Sequence, residues 1–292
     1  MDEPDLLVRN VSDTALWAAA YRARESERAD ALFRDSLARR LAGRRGEQIA
    51  EKLTFKDSWA WVTRTYLFDR YITAQVEGGA DMVVNLAAGL DARPFRMALP
   101  ERLQWVEVDL PELLAYKEEA LRHEKAACAV ERIALDLVDR SARRAVFDRL
   151  GRRAKRALVV TEGLLIYLTP EEVGALADDL AAPPGFQRWV LDLVSPGLLR
   201  MLQKKMGSQL DRAGAPLRFG PSEGPGGFTP HGWRPVDVAS LVLTAARLGR
   251  LSAWMRLLAK LPESSGAQGS RPWGAVCLFE RDELKLHGAR LA

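Results

Sequence analysis

Hydrophobic positions recur along this chain with two different periods, and the change between them organises it. In the first part, Leu16 and Trp17 are followed by Leu32, Phe33, Leu37 and Leu41. Gly43 and Gly46 predict a break. A second run then carries Trp59, Trp61, Val62, Tyr66, Leu67, Tyr71 and Ile72. Returns of three to five positions align one face of a helix, so this region is predicted to be helical and free of strands.

From Gly78-Gly79 onward the pattern shortens. Met82-Val83-Val84-Asn85-Leu86 is an apolar run closing on a Gly turn, as a buried parallel strand does. Four more candidates follow: Leu103-Gln104-Trp105-Val106-Glu107-Val108-Asp109, Arg132-Ile133-Ala134-Leu135-Asp136, Ala157-Leu158-Val159-Val160-Thr161-Glu162 and Trp189-Val190-Leu191-Asp192-Leu193-Val194. Helical stretches lie between most of them, one opening at Pro111 with Glu112 in its first turn. Strands alternating with helices predict an α/β fold with a doubly wound, mostly parallel sheet. Residues 207–235 are rich in Gly and Pro without periodicity, as a lid is. The run 238–261 reads as helix, and Trp273-Gly274-Ala275-Val276-Cys277-Leu278-Phe279 as a closing strand. The expected organisation is one domain, 1–292. In it, 1–77 form a helical cap, 78–196 a cofactor-binding core and 197–235 a lid insertion, and 236–292 complete the core.

Composition narrows the function classes. A chain of 292 residues, 48% hydrophobic and 28% charged, is an ordinary globular balance. Its net charge of +4 is only mildly basic. The basic run from Arg140 to Arg156 interleaves Ala145, Val146 and Leu150 at helical spacing, which predicts a solvated helix face and no nucleic-acid partner. No apolar run reaches the roughly 20 residues of a membrane span. The two cysteines, Cys128 and Cys277, form no CxxC pair, so a cytoplasmic location is expected. His123, His231 and His287 share no ligand spacing, and no metal site is expected.

The chemistry lies in the order of the acids. Asp91 follows the first strand's Gly turn, and Asp109, Asp136 and Glu162 follow the next three strands. An open parallel sheet binds ligands beyond the carboxyl ends of its strands, where strand order reverses. Carboxylates gathered there form an acidic rim suited to ribose hydroxyls, an adenine amino group and an ammonium. S-adenosylmethionine offers all of these and no phosphate. A pyrophosphate calls for GxGxxG and a helix N-terminus, and this turn keeps one Gly. Asp109 stands before Leu110-Pro111 and reads equally as a helix cap or a ribose ligand, whereas Asp91 reads as a cap for the helix through Pro94. Glu162, ending an apolar strand ahead of Gly163, is expected to be partly buried and therefore partnered.

Five ordered segments carry a resemblance. They are Arg64-Thr65-Tyr66-Leu67-Phe68-Asp69, the turn Asn85-Leu86-Ala87-Ala88-Gly89-Leu90-Asp91 with its flanks to Arg96, Val106-Glu107-Val108-Asp109-Leu110-Pro111-Glu112, Leu135-Asp136-Leu137, and Thr161-Glu162-Gly163-Leu164-Leu165-Ile166-Tyr167 with its continuation to Glu171. In these the chain resembles the leucine carboxyl methyltransferase family, particularly its bacterial O-methyltransferase branch. The resemblance covers roughly residues 15–195 and implies a Rossmann-like, class I methyltransferase fold with S-adenosyl-L-methionine as cofactor. By matched position it implies that Arg64 pairs with the cofactor's methionyl carboxylate, and that Gly89 admits the cofactor close to the backbone. Asp109, with Leu110 beside it, would bind the ribose; Asp136 and Leu137 would face the adenine, and Glu162 the methionyl end. Arg22 is the nearest match for a second basic contact from the N-terminal helix.

Tyr167 is a candidate for lining the transfer site, or a core aromatic. His231 is the one histidine placed to deprotonate a phenol, or a plain loop residue. A carboxylate acceptor needs no base, so the expectation is O-methylation of a small-molecule carboxylate or phenol, such as a natural product. Trp59, Trp61, Phe228 and Trp233 are candidates for an aromatic enclosure, or core. The alternatives are a non-catalytic S-adenosylmethionine-binding protein and a NAD-dependent oxidoreductase.

Overall fold

A computed structural model describes residues 10, 12–52, 59–260 and 271–282. In chain order these form α1 (Ser12–Ser26), α2 (Ala38–Lys52), α3 (Trp59–Glu77), β1 (Met82–Leu86), α4 (Arg93–Arg96), β2 (Gln104–Asp109), α5 (Pro111–Leu121), β3 (Ala129–Ala134), α6 (Arg140–Arg153), β4 (Ala157–Thr161), α7 (Pro170–Ala181), β5 (Phe186–Val194), α8 (Pro196–Leu202), α9 (Ser208–Arg212), β6 (Trp233–Ser240), α10 (Leu241–Arg247), α11 (Ala253–Leu258) and β7 (Gly274–Arg281). The sheet order is β3-β2-β1-β4-β5-β7-β6. β3 through β5 pair in parallel, and β7 runs antiparallel between β5 and β6. The chain leaves β1 outward to β2 and β3 and returns to β4 on β1's other side, so strand order reverses between β1 and β4.

Side-chain alternation divides the strands between two faces. Val84, Leu86, Val106, Val108, Val159 and Leu191 pack against Phe147 and Leu150 of α6 and Leu176 and Leu180 of α7. Val83, Trp105, Leu158, Val160 and Val190 pack against Leu67, Phe68, Tyr71 and Ile72 of α3. The same alternation carries Asn85, Asp109, Glu162 and Asp192 toward the α3 face, each at the carboxyl edge. The positions that bear chemistry are thereby collected on one side of one edge.

The first strand matches the pattern, but the helical start matches only in part, since Leu32, Phe33 and Leu37 fall in the irregular segment between α1 and α2, and several boundaries move. Gly43 does break α2, with φ 57 and ψ −173, whereas Gly46 continues the helix. A Cβ on Gly46 would stand 2.5 Å from the carbonyl oxygen of Leu16, so it is the close approach of α1 and α2 that requires glycine there. β3 lies earlier than its apolar run suggested, ending at Ala134, so Asp136 lies two residues beyond it. The expected helix over 238–261 is corrected: its first residues belong to β6, followed by two short helices, and Leu261 lies outside the described residues. β6 is an edge strand containing Pro235 and an irregular register between Pro235 and Asp237, features tolerated only at an edge.

Residues 197–235 divide in two. Leu199, Met206, Leu210, Ala213, Ala215 and Leu217 pack with Trp17, Tyr21 and Leu41 of the N-terminal helices. Phe219, Phe228 and Trp233 instead join the core beneath the sheet. Most of the basic run is the solvated face of α6, where Arg140 and Arg144 reach Asp179 and Arg149 and Arg153 reach Glu131, but Arg143 is buried against Asp179.

Candidate cofactor site at the carboxyl edge

The turn after β1 places Ala87 at φ 50 and Gly89 at φ 52. A left-handed alanine is uncommon and costs backbone energy that functional sites commonly store. The Gly89 N–H donates to Asp109 Oδ2 at 2.6 Å, and the Leu110 N–H to Asp109 Oδ1 at 2.7 Å. Asp109 is therefore no cap for α5, whose N-cap is Leu110 with no side-chain bond. It bridges two adjoining strand ends. Burial pushes its carboxyl up, and the two N–H groups and Lys117 pull it back. Beneath it Lys117 and Glu107, both fully buried, pair at 2.7 Å.

The second cluster surrounds Arg64 of α3. Its Nε lies 3.2 Å from Glu162 Oε1 and its Nη1 3.3 Å from Asp192 Oδ2. One face of the guanidinium covers the Trp61 ring at 4.7 Å. Against it lies Gly163, at φ 69, where a Cβ would come within 3.2 Å of Nη1. The Gly163 N–H donates to Asp192 Oδ1 at 2.7 Å. Burial pushes the Asp192 carboxyl up, opposed by Arg64 and this N–H. Burial also raises the Tyr167 hydroxyl, against a hydrogen bond to Thr14 and the charge of Arg64.

Arg93 joins the two clusters. Its guanidinium meets Asp69 at 2.7 Å, Asp91 at 2.7 Å and Glu162 at 2.8 Å. Asp69 also takes Arg96 through both carboxylate oxygens, at 2.6 and 2.7 Å. Asp91 accepts the Arg93 N–H at 2.9 Å and an Asn85 amide hydrogen at 2.9 Å. Burial would raise the Asp91 carboxyl, yet Arg93, Lys117, Arg96 and Arg22 outweigh it and hold it at about 2. Arg22 of α1 pairs with the buried Asp35 at 2.9 Å and donates to the Leu90 carbonyl at 2.6 Å, tying α1 to the turn.

Gly89, Asp109, Leu110, Arg22, Arg64, Glu162 and Tyr167 are thus brought to one edge. Asp136 is exposed, its carboxylate accepting the Val138 N–H at 2.9 Å, and the Leu137 carbonyl accepts from Arg143. His231 falls elsewhere: it precedes β6, whose Trp233 end lies across β7 from the amino-terminal end of β5, and it binds Asp178 at 2.7 Å. Phe228 and Trp233 pack edge-on to Trp189 in the core. Trp61, by contrast, stacks with Tyr21 and tilts against Trp17 beside Arg64; Trp59 opens α3, half-buried. Asp192, Arg93, Asp69 and Asp35 were not singled out from sequence.

The donor set fits an adenosyl amino acid. Asp109 offers carboxylate lone pairs at the turn, and a fixed guanidinium stands beside two carboxylates, complementing an amino acid's opposite charges. Among the described residues, no group of three His, Cys, Asp or Glu is placed to hold a metal ion. None of their helices is long and apolar enough to cross a membrane.

The profile of the family described as leucine carboxyl methyltransferase matches residues 15–181. The chain belongs to the leucine carboxyl methyltransferase family. A relative from Streptomyces coelicolor, named for S-adenosyl-L-methionine-dependent methyltransferase activity, is 36% identical over 174 residues, 56% of this chain and 62% of the relative. The match to a relative from Mycobacteroides abscessus, named likewise, covers 64% of that relative, so the chain spans under two thirds of both. A Frankia alni relative with the same designation is 32% identical over 81% of this chain and 88% of its own length. Two solved structures share the fold. One is a Thermobifida fusca protein described as a methyltransferase, with TM-score 0.56 and 18% identity, covering 95% of this chain and 97% of that one. The other is a DUF574-family protein from Streptomyces avermitilis, with TM-score 0.55 and 12% identity, covering 89% and 96%. The sheet is a Rossmann-like α/β sheet of class I type, as the family resemblance implied.

Proposed function

We propose that this family member is an S-adenosyl-L-methionine-dependent O-methyltransferase acting on a small-molecule carboxylate. The observation that carries the reading is the pair of clusters at the strand-order reversal: Asp109 bound to the Gly89 turn, and Arg64 held by Glu162 and Asp192. Asp109 accepts the ribose diol, with Leu110 and Gly89 as its backbone floor. Arg64 receives the methionyl carboxylate and Glu162 the ammonium, while Asp136 and Leu137 border the adenine. Arg22 holds the turn through Leu90 and supplies positive charge from the cap. A NAD pyrophosphate fits poorly, because the N–H of Gly89 already serves a carboxylate.

When bound, the cofactor supplies an electrophilic methyl on a sulfonium with a neutral thioether as leaving group. The chain's part is to orient the acceptor in line and keep water out. The wall of Trp17, Tyr21 and Trp61, with Tyr167 beside Arg64, supports that enclosure. A carboxylate acceptor is ionised at neutral pH and needs no general base, whereas a phenol needs one. His231 is at the opposite edge, and a Tyr167 with a raised hydroxyl pKa stays protonated. Both favour the carboxylate.

Incubation with methyl-labelled cofactor and matched panels of aryl and alkyl carboxylic acids and phenols tests this. Base-labile methyl ester on the acids is the expected product. Transfer to phenols alone would reverse the acceptor assignment.

A further inference from the structure

Asp192 lies near the carboxyl end of β5, and its carboxylate has two partners. Oδ1 takes the N–H of Gly163, and Oδ2 takes Nη1 of Arg64. The two partners belong to one construction. A Cβ on Gly163 would press within 3.2 Å of Nη1, and the Trp61 ring centre lies 4.7 Å from the guanidinium carbon. Glu162 holds Nε. The guanidinium is thus held among Gly163, Trp61 and two carboxylates, with Asp192 binding both Nη1 and the N–H of the glycine beside it.

Such a cluster is expensive as mere packing. Arg64 and Asp192 side chains are only 17% and 14% exposed, and apolar residues of similar volume stabilise such positions as well or better. A shared aspartate instead gives a long, flexible side chain a single orientation, which bidentate carboxylate recognition requires.

We propose that Asp192 is a positioning residue: it presets Arg64 to receive the amino-acid carboxylate of the cofactor, and it contributes nothing to the nucleoside half. This rests on the cofactor reading above. The claim separates two ligands. S-adenosylhomocysteine carries both halves, whereas 5′-methylthioadenosine carries the nucleoside and thioether without the amino-acid carboxylate.

Calorimetry with both ligands on the intact chain tests it. Asp192→Asn is expected to weaken S-adenosylhomocysteine by about tenfold or more, the scale of a lost charge-assisted hydrogen bond, and to leave 5′-methylthioadenosine within about twofold. In an Arg64→Ala background the same substitution should add little, since paired groups are non-additive. Should Asp192→Asn fail to fold, Gly163→Ala presses on the same guanidinium and should show the same selective loss. Equal losses for the two ligands, or no loss for either, would overturn the positioning role while leaving the cofactor site standing. A wild-type chain that binds neither ligand overturns the cofactor reading, and the role of Asp192 with it.

Discussion

Asp91 and Asp109 stand at the same turn, and their surroundings drive them in opposite directions. Asp91 faces Arg93 directly, and cations win over burial, so its carboxyl falls to about 2. Asp109 has only backbone donors and a more distant Lys117, and burial wins. The first is a structural anion and the second a carboxylate with acceptor capacity to spare. For Asp91 the linkage sign follows from a folded pKa below the unfolded one: its charge stabilises the fold above the unfolded value, and that contribution is lost as pH falls through the folded value. Asp91→Asn is therefore expected to lower unfolding stability by about 2 kcal/mol at neutral pH. The difference from wild type should shrink between pH 3.8 and about 2. Urea titrations at several pH values check this; a pH-independent difference would show that the carboxylate's charge is not what matters.

At the same scale, the acids after β2 and β4 were legible because each terminates an apolar run. Asp192 carried the same signal, an acid near the end of the fifth run, but Leu193 and Val194 continue the strand and mask it. Arg93 and Asp69 lie inside the motifs behind the family resemblance, yet their pairing spans 24 residues of chain, and local pattern cannot show which acid a buried arginine meets.

Between elements, the apolar runs locate β1, β2 and β4 almost to the residue, whereas β5 begins at Phe186, three residues ahead of its run. β6 escaped because Pro235 assigns its start to the Gly- and Pro-rich segment, while Val238 onward reads as the beginning of a helix. An edge strand with one neighbour accepts residues a central strand rejects. Gly46 escaped differently: local pattern treats such a glycine as a helix break, whereas its reason is contact with Leu16 across the α1–α2 packing. Gly46→Ala gains about 1 kcal/mol of helix propensity, but the added carbon forces the helices apart, an overpacking cost of about 1–3 kcal/mol. The expected net result is a lower melting temperature, with Arg22 moved away from Leu90. A melting temperature at or above wild type would show that α1 and α2 adjust freely.

Across the whole molecule, the two faces of the sheet do different work. The α6–α7 face is apolar and closed, reaching from Met82 to Phe279. The α3 face gathers Asn85, Asp109, Glu162 and Asp192 at its carboxyl edge, opposite Arg64 and Asp69 of the helix. α1 is held to this edge by Arg22, so the N-terminal helices and the two charged clusters form one assembly. His231, Phe228 and Trp233 lie outside that assembly, at the other end of β5. Sequence placed them near it because they sit in a Gly- and Pro-rich segment, and the topology of β6 and β7 that carries them away depends on long-range pairing.

The measurement that bears most directly on this account is calorimetric titration of the wild-type chain and Asp109→Ala with S-adenosylmethionine and, separately, NAD. Wild type is expected to bind the sulfonium cofactor and not the dinucleotide. Asp109→Ala is expected to lose about a hundredfold or more in affinity, the order of two hydrogen bonds to a charged acceptor, while remaining folded. Binding of NAD without the sulfonium, or undiminished cofactor affinity in Asp109→Ala, would contradict the cofactor reading.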